Sequence, residues 1–211
     1  MTSIDVGPIR PPSEAQSLLI RVTRNCPWNR CRFCQTYKGK KFSLRPVDEV
    51  KRDIEMVTEI FEEVKSHAWK IGHGGTVTKE VIYDIHRLYG PDHAQVAMWL
   101  ANGGNTAFLQ DADSLIRDPR ECIDIIRFLK ETFPSITRIT TYARGRTIAR
   151  KRTVGELKEL KQAGLTRIHM GLETGYDPLL EYMHKGVTAR EYITAGQKLK
   201  EAGIELCLYV I

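Results

Sequence analysis

The chain has 211 residues, 42% hydrophobic and 27% charged, with a formal net charge of +6, the composition of an ordinary globular protein. No apolar run approaches the roughly 18 residues of a membrane span, and the start, Met1-Thr2-Ser3-Ile4-Asp5-Val6, lacks the basic and apolar regions of a secretory leader. A single domain over residues 1–211, located in the cytoplasm, is the expectation.

Leu18–Thr23 is apolar enough for a first core strand, and residues 15–45 hold that strand and the loop that follows it. Pro46 opens a long amphipathic helix, because Val47, Val50, Ile54, Val57, Ile60, Phe61 and Val64 fall on one side. Residues 67–104 read as an irregular insertion, with a helix at Lys79–Tyr89 and either a strand or a short helix at Val96–Leu100. Asn102-Gly103-Gly104-Asn105 then signals a turn before a second core strand at Thr106–Gln110.

Beyond this point three helix starts recur every 35 residues, at Asp118, Thr153 and Thr188, each followed three positions later by a glutamate. Such a pair satisfies two free backbone donors reciprocally. The first helix carries the stripe Ile123, Ile126, Leu129 and stops at Phe133-Pro134. The second runs through Leu157 and Leu160 to Gly164, and the third through Ile193 and Leu199 to Gly203; both glycines fit left-handed caps. Between the helices lie apolar runs suited to buried parallel strands, at Ile136–Tyr142, Thr166–Leu172 and Ile204–Ile211. The alternation predicts an α/β fold, a right-handed parallel arrangement with about five core strands. No helix follows the last run to cover its face, so the chain reads as a partial barrel, incomplete after residue 211.

The densest basic stretch runs through Arg144, Arg146, Arg150, Lys151 and Arg152. Without interleaved aromatics it reads as a solvated loop or helix approach rather than a nucleic-acid site. Of five cysteines, Cys122 and Cys207 sit in apolar runs and read as packing residues. The other three, Cys26, Cys31 and Cys34, lie directly after the first strand, where reactive groups converge in parallel α/β folds. Three thiolates on one short loop can hold three corners of a cubane and leave the fourth iron without a protein ligand. A tetrahedral zinc site lacks a nearby fourth ligand in sequence. A non-catalytic iron–sulfur or zinc module, carrying electrons or docking a partner, stands as the alternative.

With Phe33 just before the last cysteine, this loop resembles that of the radical S-adenosylmethionine (radical SAM) superfamily, and the chain looks like the N-terminal part of its enzyme core. The family separates its cysteines by three and then two residues; here the gaps are four and two, an addition that a small bulge absorbs. The resemblance implies a partial parallel (β/α) barrel of the radical SAM type and a [4Fe-4S] cluster on Cys26, Cys31 and Cys34. It also implies S-adenosylmethionine chelating the open iron and cleaved by one electron to methionine and a 5′-deoxyadenosyl radical, which takes hydrogen from an unidentified substrate. A flavodoxin- or ferredoxin-type reductant follows as partner.

The same resemblance distributes roles along the chain. Phe33 falls near the adenine. For the family's Gly-Gly-Glu motif after the second strand, Asn102–Asn105 offers the glycines, but Asp111-Ala112-Asp113-Ser114 has the position, which puts Asp113 in the glutamate's place. Tyr142 and Arg144 end the third strand, with cavity and packing roles both open. Gly171-Leu172-Glu173-Thr174-Gly175 is similar to a family signature, with Glu173 on the cofactor's amino or ribose hydroxyl groups. Lys185 falls in a basic segment suited to the cofactor carboxylate. His169, in mid-strand, reads as a packed residue. The family's glycine motif after the fifth strand lies beyond residue 211.

Overall fold

A computed structural model describes residues 3–211. Strand β1 (Leu18–Arg21) has Leu18, Leu19 and Ile20 fully buried. The expected strand breaks after it. Residues Thr23–Arg24 (β2) leave the main sheet and pair antiparallel with Ser43–Leu44 (β3). This two-rung ribbon closes the base of the cysteine loop. Helix α1 (Val47–Lys70) follows Pro46, which stands just outside it as N-cap, and buries Val50, Ile54, Val57, Ile60 and Val64.

Residues 67–104 are not irregular beyond the end of α1. They form helices α2 (Lys79–Tyr89) and α3 (Pro91–Ala101), the latter absorbing the stretch whose type was open. Local chemistry explains both starts. Thr78 caps α2 by accepting from the Val81 amide, and Pro91 stands at the first turn of α3. The buried Trp99 indole donates to the Thr106 carbonyl at 3.0 Å, which anchors α3 to the start of β4 (Thr106–Gln110). Gly103 and Gly104, at φ 97° and 61°, make the intervening turn in backbone territory that side chains resist.

The remaining elements alternate as expected: α4 (Pro119–Thr132), β5 (Arg138–Tyr142), α5 (Gly145–Lys151), α6 (Val154–Ala163), β6 (Leu165–Glu173), α7 (Asp177–Tyr182), α8 (Ala189–Ala202) and β7 (Glu205–Val210). The main sheet is parallel throughout, in the order β1-β4-β5-β6-β7. Each strand therefore sends its following loop to one end of the sheet.

The three helix starts keep their period. Thr153 and Thr188 form complete capping boxes with Glu156 and Glu191. Asp118 caps α4 through the Arg120 amide alone, because Arg117 takes the Glu121 carboxylate at 2.8 Å. Gly203 has the left-handed cap conformation; Gly164, at φ 131°, does not. Ile193 is 61% exposed, and Tyr192, Ala195 and Leu199 face inward instead. The cap at Thr188 fixes that phase, since 192, 195 and 199 follow one another at helical spacing. Helices α5 and α7 were not anticipated, and Arg152, read as solvated, is buried against the carbonyls of Leu115 and Arg117. Cys122 is buried as expected, while Cys207 is only half-buried.

Candidate active site

The loops at the carboxyl end of the sheet enclose a cavity of about 250 Å³. Cys26, Cys31 and Cys34 line it together with Phe33 and Ala112. Glu173 and Lys185 line it too, as do Tyr142, Arg144 and His169. Five of the nine residues proposed from sequence as ligands belong to other segments than the cysteine loop, and three of those five, Ala112, Glu173 and Lys185, reach the cavity. A second cleft, about 310 Å³ between the N-terminal segment and α3, contains none of these residues.

The cysteine loop is held at both ends. Asn25 stands at φ 68°, a conformation asparagine tolerates better than most residues; its amide donates to Asp111 at 3.0 Å and its side chain to the Lys41 carbonyl at 2.7 Å. Asn29, also at positive φ, donates to the Tyr37 carbonyl at 2.5 Å. The four-residue gap between Cys26 and Cys31 projects Trp28 toward the far side of the site. Its indole donates to the His184 carbonyl at 2.7 Å, and Arg30 and Arg144 lie over its ring at 5.2 and 5.0 Å. The Arg32 amide donates to the Met183 carbonyl. Gly186, at φ 67°, lets this indole close in, since a Cβ there would strike its ring.

Burial pushes the Cys31 thiol above its ordinary pKa. Lys185 and Arg144 pull it down, and proximity to Cys26 and Cys34 pushes it up again. Three thiolates that repel one another suit a positively charged guest between them, with Lys185 and Arg144 offsetting part of the charge at Cys31. Among the described residues, no three of His, Cys, Asp and Glu close around a single ion. The sulfurs border a shared space rather than meeting at one point.

Glu173 ends β6 at φ 63°, a left-handed conformation that costs a non-glycine residue roughly 1–2 kcal/mol. The β6–β7 register shifts between Gly171 and Glu173. This irregularity brings the carboxylate back over the strand end to meet Lys185 Nζ at 2.5 Å. Lys185 also stands 5.3 Å over the Phe33 ring. Gly171 leaves room beneath them: a Cβ at that position would displace the Glu173 carboxylate and press on the Lys185 amine. Tyr192 donates to the Gly171 carbonyl at 2.6 Å and supports the same strand end.

Asp111 and Asp113 do not line the cavity. Asp111 is buried, paired with Arg21 at 2.8 Å and accepting the Asn25 amide. Burial raises its pKa, although Arg21 opposes the shift. Asp113 is buried as well, accepting from the Thr147 hydroxyl at 2.5 Å and the Arg144 amide at 3.2 Å. Burial pushes its pKa up to about 6. The two carboxylates thus hold the cysteine loop and the start of α5 respectively.

Sequence reasoning missed several supports. Arg21, Arg24 and Arg45 converge on Asp5 at 2.8, 2.7 and 3.4 Å. Arg117 donates to the Val22 and Arg45 carbonyls at the feet of the loop. Only the absence of any carboxylate between residues 15 and 47, amid eight Arg and Lys residues, signalled that some of these cations need distant partners. Below the cavity, Glu14 is fully buried, bound by Arg138 through two 2.9 Å contacts and by His169 at 3.1 Å. His169, fully buried as expected, also contacts the Tyr209 hydroxyl at 2.9 Å.

The fold and cavity define a parallel α/β enzyme core with a three-cysteine loop at its reactive end. The chain belongs to the radical SAM superfamily, a superfamily of enzymes, matching the family described as "Radical SAM superfamily" over residues 20–211. Among solved structures it is similar to the cobalamin-dependent S-adenosylmethionine radical enzyme OxsB, at 20% identity and a TM-score of 0.58, covering 92% of this chain and 24% of that one. It is also similar to the radical S-adenosylmethionine methyltransferase TsrM from Kitasatospora setae, at 14% identity and a TM-score of 0.56, covering 94% and 32%. Methylornithine synthase gives 14% identity and a TM-score of 0.51, over 92% and 43%. A short likeness, 30% identity over 56 residues, joins it to the tRNA uridine(34) acetyltransferase of Methanocaldococcus jannaschii, covering 26% of this chain and 10% of that protein. The chain spans about a quarter of OxsB's length and a tenth of the acetyltransferase's. Among the described residues, no helix is long and apolar enough to cross a membrane.

Proposed function

We propose that Cys26, Cys31 and Cys34 bind a [4Fe-4S] cluster whose fourth iron takes S-adenosylmethionine, in a reaction domain acting on an unidentified substrate. One observation carries this: the three cysteines, the Glu173–Lys185 pair and Phe33 border one cavity, although they come from separate parts of the chain. The residues fit the group. A cubane asks for sulfurs around a volume rather than around a point, and Lys185 and Arg144 offset thiolate charge at Cys31. When bound, the cluster supplies the electron that breaks the cofactor's sulfonium carbon–sulfur bond.

The protein's own part is positioning. Glu173 accepts a hydrogen bond from a cofactor ammonium or ribose hydroxyl, a charge-assisted contact in the first case. Lys185, already beside that carboxylate, is within the same cavity to meet a cofactor carboxylate. Phe33, 44% exposed, presents a face to an adenine, and Ala112 leaves room beside it. Asp111 and Asp113 act indirectly: one fixes the amide before Cys26, the other the backbone of Arg144.

The test is anaerobic reconstitution, reduction with dithionite and assay of 5′-deoxyadenosine. Formation of 5′-deoxyadenosine is expected, together with complete loss of product and most acid-labile sulfide in Cys31→Ala. An intact cluster that yields none, or one zinc per chain without sulfide, overturns the proposal.

A further inference from the structure

Tyr37 carries a hydroxyl that nothing in the described protein answers. The residue is 2% exposed, and its Oη is enclosed with no hydrogen-bond partner among the described residues. Leaving a buried hydroxyl unpaired is costly, and phenylalanine would fill nearly the same volume without that cost. The surroundings belong to the cysteine loop. Tyr37 lies three residues beyond Cys34 and borders the cavity together with Cys26, Cys31 and Cys34. Its carbonyl accepts from the Asn29 side chain at 2.5 Å and from the Lys40 amide at 2.9 Å. The Asn29 amide in turn donates to the Cys26 sulfur at 3.4 Å, so one asparagine links the backbone at Tyr37 to the first cysteine.

The missing acceptor can be narrowed down. Cysteine sulfurs are close in sequence, yet none of the three accepts from Tyr37, and solvent does not reach the Oη. The acceptors that remain are those a bound group brings into the cavity. The residues read as holding the cofactor's charged ends, Glu173 and Lys185, come from β6 and the turn after α7, meet each other, and make no hydrogen bond to Tyr37. What the cysteine loop itself holds in this reading is the cluster, whose sulfurs accept hydrogen bonds.

Resting on the functional reading above, we propose that the Tyr37 hydroxyl donates a hydrogen bond to a sulfur of the cluster held by Cys26, Cys31 and Cys34, and thereby raises its reduction potential. Reduction adds one negative charge to the cluster, and a donor directed at a sulfur favours the more negative state. Hydrogen bonds to the sulfurs are among the quantities that set such potentials. The phenol is neutral, so it acts without adding a charge to a border where Lys185 and Arg144 already act on Cys31.

The experiment compares wild type with Tyr37→Phe. After anaerobic reconstitution, and without S-adenosylmethionine, the cluster is titrated potentiometrically and its reduced form counted by electron paramagnetic resonance. At the wild-type midpoint potential the ratio of reduced to oxidised cluster should fall at least about threefold in the variant, tenfold being ~59 mV for a one-electron couple. Unloaded protein gives a second readout. There Tyr37→Phe should need at least as much urea to unfold as wild type, since it discards a hydroxyl without a partner. An unchanged potential overturns the proposal, and so does weaker S-adenosylmethionine binding at unchanged potential, which assigns the hydroxyl to the cofactor. Easier unfolding of the unloaded variant overturns it too, by showing that the hydroxyl is already paired. A wild type that takes up no iron–sulfur cluster sinks the functional reading and this proposal together. An unchanged potential in a cluster-bearing protein that forms 5′-deoxyadenosine sinks the Tyr37 assignment alone.

Discussion

Two glutamates face the inside of the sheet on opposite terms. Glu14, at the floor, is buried with both oxygens engaged: Arg138 contacts each, Ser17 donates at 2.6 Å and His169 lies at 3.1 Å. Glu173, at the mouth, has Lys185 as its side-chain partner and a strained backbone beneath it. The first cluster has its hydrogen-bonding capacity filled, which is what a buried charge needs. The second has fewer partners and a backbone held at a cost in strain, as the proposed cofactor-binding role requires. Asp113 stands between them, buried with two neutral donors but no cation in contact. The pKa values follow suit. Burial pushes both floor and loop carboxyls up, yet donors from His169 and Ser17 and the charge of Arg138 bring Glu14 below its ordinary value, whereas Asp113 stays high.

Removing the cation from the floor should have the largest effect on stability. Arg138→Met leaves Glu14 buried and uncompensated, and urea unfolding should show a loss of about 3–5 kcal/mol. A loss under 1 kcal/mol would mean that His169 and Ser17 suffice and that the floor is not the more demanding of the two sites.

Asp113 should reveal itself through pH. With its native pKa at about 6 against an ordinary 3.8, the folded protein keeps a proton that the unfolded chain gives up. Stability from this group is therefore present at low pH and lost as pH rises from about 4 to 6, amounting to roughly 2–3 kcal/mol. Thermal melts of Asp113→Asn should lack that slope. Glu14 works the other way, its contribution fading as pH falls, so an unchanged slope in the variant would show that another group sets the profile.

Glu173→Gln should reverse the pattern of the floor. Unfolding free energy is expected to stay within about 1 kcal/mol of wild type, since Lys185 can still reach the amide oxygen and its head lies at the cavity edge. S-adenosylmethionine binding by the reconstituted protein should weaken at least about tenfold, or ~1.4 kcal/mol. Unchanged affinity with a large stability loss would make Glu173 a second floor-type residue and remove it from the site.

The fold was legible where local rules and burial agree. Thr106–Gln110 and Lys79–Tyr89 fall at the expected bounds, because an apolar run and a capped amphipathic run each leave one good solution. Thr153 and Thr188 cap as read, but at Asp118 a nearby arginine competes for Glu121, something that spacing cannot reveal. Ile193 misled because two helical phases fit the same residues, and only the cap position separates them. Of the residues that the sequence puts forward for the candidate site, the cysteines, Phe33, Ala112, Glu173 and Lys185 border one cavity. Asp111 and Asp113 were legible as carboxylates at the right place, not as groups turned to Arg21 and Thr147. Their partners are distant in sequence, as are Asp5 to Arg21 and Glu14 to Arg138, and no local pattern announces such pairs.

The Trp28–His184 bond joins residues 156 positions apart. During synthesis the cysteine loop leaves the ribosome early, but its clamp at residues 183–186 does not exist until most of the chain has followed. Until then the three thiols are tethered only by their own β-ribbon and are open to oxidation or to stray metal. If the loop holds the proposed cluster, the full clamp around it is available only once residues 183–186 have been made.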